Sequence, residues 1–112
     1  MAAPRIAIIG TGNFGTALRR LLDRYASDVP VRVLDRLPGG EAIADLDRLA
    51  DSDVVIPAVP IAVFGAVLDA IAPHLRPEAL VIDVCTVKEY PTRLMEKRLP
   101  RTVELVSSHP LF

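Results

Sequence analysis

A glycine-rich turn at residues 10–15 constrains the fold of this chain more than any other segment. An apolar run, Ile-Ala-Ile-Ile, leads directly into the pattern G-x-G-x-x-G, whose glycines are Gly10, Gly12 and Gly15. The first glycine permits a tight turn out of a strand, the second lets a pyrophosphate approach the backbone, and the third lets the next helix pack closely on the strand. Leucines at helical spacing follow. The pattern therefore predicts a strand, a turn and a helix whose N-terminus attracts phosphate groups.

The size and composition of the chain predict one small domain. It has 112 residues, of which 51% are hydrophobic, so a core can form. The net charge of −1 gives no electrostatic case for binding nucleic acid or an acidic membrane surface. No apolar run approaches the ~20 residues of a membrane span, and a strand pattern begins too close to Met1 for a signal peptide. The one cysteine, Cys85, cannot form an internal disulfide, which fits a reducing cytoplasm, and we expect a cytoplasmic protein. No metal site is predicted.

Strand and helix patterns alternate along the chain. Predicted strands are 5–9, 31–35, 42–44, 54–56, 79–84 and 103–106; predicted helices are 13–25, 61–72 and 91–98, with a brief helix capped by Asp45. Several strands are apolar on both faces, as buried parallel strands are. We therefore expect an α/β fold, with a Rossmann-like, doubly wound and mainly parallel sheet. Because Pro57 cannot donate to a central ladder, we end the fourth strand at Ile56 and place residues 57–60 in a loop above the sheet.

An acidic residue ends the second predicted strand, at the sheet edge where such folds bind ligands. Asp35 stands about 20 positions after the last glycine, where a carboxylate can accept hydrogen bonds from adenosine ribose hydroxyls and repels a 2′-phosphate. This favours NAD over NADP. Arg36 keeps NADP possible, since a guanidinium can stack on adenine or pair with a 2′-phosphate. The simpler alternative for Asp35 is a solvated carboxylate at a strand end.

Further candidates stand in the loops after the later strands. Val59 and Pro60 could pass beneath the nicotinamide ribose, or could form an ordinary turn before a helix. Thr86 and Lys88 follow the fifth predicted strand, and their simpler roles are a helix cap and a solvated surface lysine. His109 follows the last strand and is the better placed of the two histidines for catalysis, although a lone histidine is usually structural.

Four segments together resemble the N-terminal nucleotide-binding domain of the prephenate/arogenate dehydrogenases. They are Ile9-Gly-Thr-Gly-Asn-Phe-Gly15, Ala58-Val-Pro60, Asp83-Val-Cys-Thr-Val-Lys-Glu89 and Ser107-Ser-His-Pro-Leu-Phe112. The first segment fits many dehydrogenases, whereas the third followed by the fourth is far more specific. The resemblance covers residues 1–112 as one domain, and the helical C-terminal domain of the family is absent from this sequence.

The resemblance implies an NAD(P)-dependent oxidative decarboxylation of prephenate or arogenate, in tyrosine biosynthesis. A hydride passes from the ring carbon that bears the 4-hydroxyl to the nicotinamide, and carbon dioxide is lost as the ring becomes aromatic. His109 would accept the proton of that hydroxyl, Thr86, where the family usually has serine, would orient it, and Lys88 would support the site electrostatically. The implied cofactor-binding residues are Gly10, Thr11, Gly12, Asn13, Phe14, Gly15, Asp35, Arg36, Val59 and Pro60. The full-length family protein would be a homodimer, and this chain alone would turn over little or no substrate.

Two other interpretations remain. A stand-alone nucleotide-binding module would use the same turn without catalysing a reaction. A different oxidoreductase of this build, such as a pyrroline-carboxylate reductase or a hydroxyacid dehydrogenase, shares the glycine turn but does not typically carry the Ser-His-Pro segment. Because the last predicted strand lies at the end of the sequence, we also expect an exposed apolar surface beside it, including Leu111 and Phe112, that favours self-association.

Overall fold

Five parallel strands form the centre of the part of the chain that the structure describes. The computed structural model describes residues 4–10, 12–35, 45–84 and 89–107. The strands are β1 (Ile6–Ile9), β2 (Val31–Leu34), β3 (Val54–Pro57), β4 (Leu80–Asp83) and β5 (Glu104–Ser107). They lie in the order β2-β1-β3-β4-β5, and every neighbouring pair is parallel. The predicted α/β fold with a doubly wound sheet is therefore confirmed.

The helices connect these strands in alternation. The α-helices are α1 (Asn13–Tyr25), α2 (Ile61–Ile71) and α3 (Glu89–Arg98), and short 3₁₀ helices span Leu46–Asp51 and Ala72–His74. The prediction for α1 is correct at both ends, α2 ends one residue earlier than predicted, and α3 begins two residues earlier. The predicted strand at 42–44 lies outside the described residues.

The two faces of the sheet are covered by different helices. On one face, side chains of α2 and α3 form the main core with alternate strand residues such as Ala7, Val55 and Val81, which are all fully buried. Helix α1 lies on the opposite face, since a Cβ on Gly15 would stand 3.6 Å from Cγ2 of Ile8, the neighbour of Ala7 on β1. Right-handed crossovers explain the division, because the chain winds from β1 to β2 in one direction and from β3 to β5 in the other.

Pro57 is the last residue of β3, so the prediction that this strand ends at Ile56 is wrong. The proline is fully buried and pairs with Ile9 of β1. The Ala58 N–H donates to the Ile9 carbonyl oxygen at 2.8 Å, so the backbone nitrogen one residue earlier faces β4 instead. The pairing of β3 with β4 ends at Val55. The missing N–H of the proline therefore lies beyond that ladder and breaks no hydrogen bond.

Candidate nucleotide-binding site

The direction of winding reverses between the adjacent strands β1 and β3. The chain leaves β1 through α1 toward β2, whereas it leaves β3 through α2 toward β4 on the other side. In open parallel sheets, connections that diverge in this way leave a crevice beyond the carboxyl ends of the two strands, and ligands bind there. Residues 10–15 and 58–60 follow these two strand ends and border that position.

The packing of the protein itself requires glycine at two positions of the glycine turn. Gly10 has a φ of +112°, and a Cβ there would lie 2.4 Å from the Ala58 carbonyl oxygen. A Cβ on Gly15 would lie 2.6 Å from the Gly10 carbonyl oxygen. Both distances are far inside van der Waals contact with backbone atoms. The first glycine thus admits the loop after β3, and the third lets α1 approach the end of β1.

Gly12 is different, because its surroundings in the described structure do not require a glycine. Its φ of −69° and ψ of −174° suit any residue, and a Cβ would meet no described atom within 4 Å. The residue is exposed and is the N-cap of α1, whose first turn carries no acidic side chain and no side-chain cap. The first N–H groups of α1 therefore keep their partial positive charge available to an anion. A side chain at Gly12 would occupy the space through which a phosphate approaches them.

The loop after β3 lies directly against the glycine turn. Besides the hydrogen bond from Ala58 to Ile9, a Cβ on Gly10 would lie 3.2 Å from Cγ1 of Val59. Val59 is half-buried and packs against the core, and Pro60 is the exposed N-cap of α2. Helix α2 also begins without an acidic residue in its first turn and without a side-chain cap. Two uncapped helix N-termini thus lie at the same edge of the sheet, one on each face.

Asp35 follows β2 at this same edge. The Gly10 N–H donates to the carbonyl oxygen of Leu34 at 2.8 Å, which ties the end of β2 to the glycine turn. Asp35 itself is exposed to solvent. The carboxylate is therefore next to the turn and accessible to a ligand that lies across the ends of β1 and β2.

The structure brings part of the predicted site together and leaves the rest undescribed. Gly10, Gly12, Gly15, Asp35, Val59 and Pro60 lie at one sheet edge. Thr11, Arg36, Thr86, Lys88 and His109 lie outside the described residues, and at Asn13 and Phe14 only the backbone is described. The strands that lead into the two segments with Thr86, Lys88 and His109 are in place, because β4 and β5 are neighbours and Asp83 pairs with Ser107 at their ends.

Asp83 is a residue of this edge whose burial the sequence analysis did not predict. Its side chain is fully excluded from solvent, and within the described residues no buried side-chain oxygen or nitrogen lacks a hydrogen-bond partner. A buried and hydrogen-bonded carboxylate fixes the end of β4. The segment that carries Thr86 therefore departs from an anchored strand end. An acid that closes the apolar run Leu-Val-Ile is the only sequence signal of this role.

The opposite, amino edge of the sheet carries a separate pocket. The residues that line it are Arg5, Ile6, Pro30, Val31, Arg32, Asp51 and Ser52. They precede or begin the strands, so the length of β1 separates them from the glycine turn.

Over the described ranges, no group of three or more His, Cys, Asp or Glu side chains is placed to hold a metal ion. In the same part of the chain, no helix is long and apolar enough to cross a membrane.

Two curated relatives align with this chain over nearly its whole length. Cyclohexadienyl dehydrogenase of Zymomonas mobilis is 31% identical over 118 residues, which cover 95% of this chain and 40% of the relative. Arogenate dehydrogenase 2, chloroplastic, of Arabidopsis thaliana is 31% identical over 122 residues, which cover 99% of this chain and 34% of the relative. The chain thus spans 40% or less of the length of these relatives.

Solved structures and a family model agree with these relatives. Synechocystis arogenate dehydrogenase superposes with a TM-score of 0.79 at 23% identity, over 95% of this chain and 40% of that one. Prephenate dehydrogenase from A. aeolicus, in complex with hydroxyphenyl propionate and NAD+, gives 0.79 at 19% identity, over 99% and 43%. Both likenesses show the fold. The model of the prephenate dehydrogenase nucleotide-binding domain matches residues 36–112, and the chain therefore belongs to this family.

Proposed function

We propose that residues 1–112 are the cofactor-binding domain of an NAD(P)-dependent dehydrogenase that acts on prephenate or arogenate. The observation that carries the proposal is Gly12, a glycine at an uncapped helix N-terminus that neither its dihedral angles nor its neighbours require. A phosphate-bearing ligand accounts for this residue, since a side chain here would occupy the space through which a phosphate approaches the first N–H groups of α1. Membership of the prephenate dehydrogenase family supports the same conclusion.

The residues at this edge suit a dinucleotide. Gly12 and the first N–H groups of α1 would hold the pyrophosphate, together with the rest of the turn, residues 10–15. Asp35 would accept hydrogen bonds from the adenosine ribose, which favours NAD, while Arg36 would be the partner for the 2′-phosphate of NADP. Val59 and Pro60 would lie beneath the nicotinamide ribose. NAD(P)+ bound at this edge supplies a hydride acceptor.

Three further residues would act on the substrate. His109 would hydrogen-bond the 4-hydroxyl of prephenate or arogenate and accept its proton. Thr86 would orient the same hydroxyl, and Lys88 would place a positive charge nearby. The pairing of β4 with β5 supports this grouping, because the segments after Asp83 and Ser107 leave adjacent strand ends at the nucleotide edge. The names of two relatives, a cyclohexadienyl dehydrogenase and an arogenate dehydrogenase, support this substrate class.

The relatives are much longer than this chain, which bears on the activity expected of the 112 residues by themselves. This chain spans 40% of the Zymomonas mobilis dehydrogenase, and the family's helical domain would complete the substrate site and form a homodimer. We therefore expect the 112-residue chain to bind cofactor and to turn over little or no prephenate or arogenate.

Calorimetric titration of the chain with NADH and NADPH tests the cofactor proposal. We expect binding of NADH in preference to NADPH, and Gly12→Ala is expected to weaken it about tenfold or more because a methyl group enters the phosphate path. Thr16→Ala, an exposed change one turn further along α1, serves as the matched control and should leave the affinity unchanged. Absence of binding of both cofactors would contradict the proposal.

Formation of NADH with prephenate, arogenate and proline as substrates tests the reaction class. A slow rate with prephenate or arogenate that disappears in His109→Ala supports the dehydrogenase assignment. Activity with proline alone would favour a reductase of the pyrroline-carboxylate type. Cofactor binding with no turnover of any of them would favour a stand-alone nucleotide-binding module if the gene ends after Phe112, and a dehydrogenase domain if the reading frame continues.

A further inference from the structure

The buried face of α2 continues into a residue that is open to solvent. Phe64, Leu68 and Ile71 are fully buried and belong to the core that α2 forms with the strands. Ile61 precedes Phe64 by three residues and Leu68 by seven, so it lies on the same face of the helix. Its side chain is nevertheless 41% exposed. The stripe of α2 that faces the core therefore ends in an exposed apolar side chain.

The position of the first turn of α2 explains this exposure. Strand β3 ends at Pro57 and strand β4 ends at Asp83, and α2 begins at Ile61 on the carboxyl side of both. Because a helix rises about 1.5 Å per residue, Ile61 stands roughly 4.5 Å farther along the axis than Phe64, away from the core. The side chain thus extends past the strand ends, into the edge of the sheet that carries the glycine turn.

The whole start of α2 is apolar where it meets solvent. It reads Pro60-Ile-Ala-Val63, with no acidic or basic side chain, and its first three residues are exposed. Helix starts that face water usually carry Ser, Thr, Asp or Asn at the N-cap, which here is Pro60. An apolar surface of this kind at a ligand-binding edge suits a flat part of a ligand that bears no charge.

The strand order indicates which part of a dinucleotide reaches this surface. Asp35 follows β2, Gly12 follows β1 and residues 58–61 follow β3, and β1 lies between the other two strands. In the proposed function, Asp35 binds the adenosine ribose and Gly12 admits the pyrophosphate. Neighbouring strands are about 4.8 Å apart, so a dinucleotide laid across these ends in that order extends its second ring over β3 and the start of α2. That ring is the nicotinamide.

We propose that Ile61 is the side chain on which the nicotinamide ring packs, an inference that rests on the proposed function. The reduced ring is flat and uncharged, so one of its faces can cover Ile61 and remove apolar surface from water on both sides of the contact. The opposite face of the ring then stays open, and a hydride donor approaches from there. Ile61 would thus contribute both to the affinity for the cofactor and to the choice of the reactive face.

Calorimetric titration of the full chain with NADH and with ADP-ribose tests this contact. ADP-ribose carries the adenosine, the pyrophosphate and the second ribose but lacks the nicotinamide ring. We expect Ile61→Ala to weaken NADH binding roughly fivefold to tenfold and to change the affinity for ADP-ribose by less than about twofold. Ile61→Leu keeps an apolar side chain of the same size, and it should bind NADH within about twofold of the wild-type chain.

Leu21→Ala is the matched control. Leu21 is 42% exposed, close to the value for Ile61, but lies in the second half of α1, and its truncation should leave both affinities unchanged. Circular dichroism melting shows whether each variant is folded. If Ile61→Ala is not, Ile61→Val, which removes one methyl group, decides through a smaller loss that is confined to NADH.

The outcomes separate this inference from the proposed function. Equal weakening of NADH and ADP-ribose by Ile61→Ala, an unchanged affinity for NADH, or an equal loss in Ile61→Leu would each overturn the contact with the nicotinamide ring. Absence of binding of both molecules to the wild-type chain would instead overturn the proposed function on which the inference rests.

Discussion

The glycine turn has an inner side, formed by Gly10 and Gly15, and an outer side, formed by Gly12, and glycine stands on the two sides for different reasons. On the inner side, a Cβ on Gly10 or Gly15 would lie 2.4 Å or 2.6 Å from a backbone oxygen of the protein itself. On the outer side, a Cβ on Gly12 would meet no described atom within 4 Å, and its φ of −69° is ordinary. The fold therefore requires glycine at two positions of this motif, and the proposed ligand accounts for glycine at the third.

This difference makes folding and binding separable by substitution within six residues of sequence. A change on the inner side should alter stability first and binding only as a consequence. A change at Gly12 should alter binding with little effect on stability. Substitutions on the two sides of the turn therefore test whether stability and cofactor binding respond separately.

The largest effect is expected at the inner glycines. Gly10→Ala forces a residue with a side chain into a φ of +112° and against the Ala58 carbonyl oxygen. We expect its free energy of unfolding to fall by about 2–4 kcal/mol, and that of Gly15→Ala to fall by a similar amount, as measured by urea denaturation. Gly12→Ala is the control, and it should lose no more than about 1 kcal/mol, because alanine is a poorer N-cap residue than glycine but meets no steric conflict there. Equal destabilisation by all three would remove the distinction between the two sides of the turn.

The next largest effect is expected from side chains of increasing size at Gly12. Because the space beside Gly12 is open in the described structure, the alanine and valine variants should both fold, each with a loss of about 1 kcal/mol or less from the poorer N-cap. Cofactor affinity should instead fall with side-chain size, by about tenfold for Gly12→Ala and further for Gly12→Val, since each added group obstructs the phosphate. Isothermal titration with NADH, beside urea denaturation of the same samples, measures both quantities. An affinity that does not depend on side-chain size would show that no ligand approaches this residue.

The sequence predicted the elements whose signals are local. Helix α1 was located at both ends, because the glycine turn marks its start and leucine spacing marks its length. Pro57 was misplaced, because whether a proline interrupts a ladder depends on which neighbour its nitrogen faces and how far that neighbour pairs. Helix α2 ends at Ile71 and passes into a 3₁₀ turn that contains Pro73, a continuation that the proline rule does not anticipate.

In the candidate site, too, local sequence signals predict the position of a residue, whereas its burial and contacts depend on tertiary packing. The motif predicted the positions of Gly12, Asp35 and the loop at Val59, because each follows a strand and parallel strands end together. The burial of Asp83 and the contact between Gly10 and Ala58 depend on how separate loops pack. No spacing in the sequence encodes those distances. The expected apolar surface near the last strand is supported by the exposure of Val106, while Leu111 and Phe112 lie outside the described residues.

A smaller effect is expected at Asp35, which belongs to the ligand side of the comparison. Asp35→Asn keeps the shape of the side chain but removes the charge that repels a 2′-phosphate. We expect the affinity for NADH to fall several-fold and that for NADPH to rise, so that the preference shifts toward NADPH. Asp28→Asn removes the same charge from an exposed position before β2, at the other end of that strand, and should leave the preference unchanged. Parallel titrations with both cofactors measure the ratio, and an unchanged ratio in Asp35→Asn would remove this residue from the site.

The smallest effect is expected at an ion pair that joins α2 to α3 on the core face. Arg98 Nη1 lies 2.6 Å from Asp69 Oδ2, and the side chains are 37% and 60% exposed, so solvent screens much of the attraction. Arg98→Ala should therefore lower the free energy of unfolding by no more than about 1 kcal/mol, as urea denaturation measures it. Cofactor affinity should not change, since Asp69 and Arg98 lie near the C-terminal ends of their helices, away from the sheet edge that carries the glycine turn. Loss of NADH binding in a folded Arg98→Ala variant would show that the packing of α2 against α3 affects the nucleotide-binding edge. Substitutions would then not separate stability from binding as fully as the contrast between Gly12 and the two inner glycines predicts.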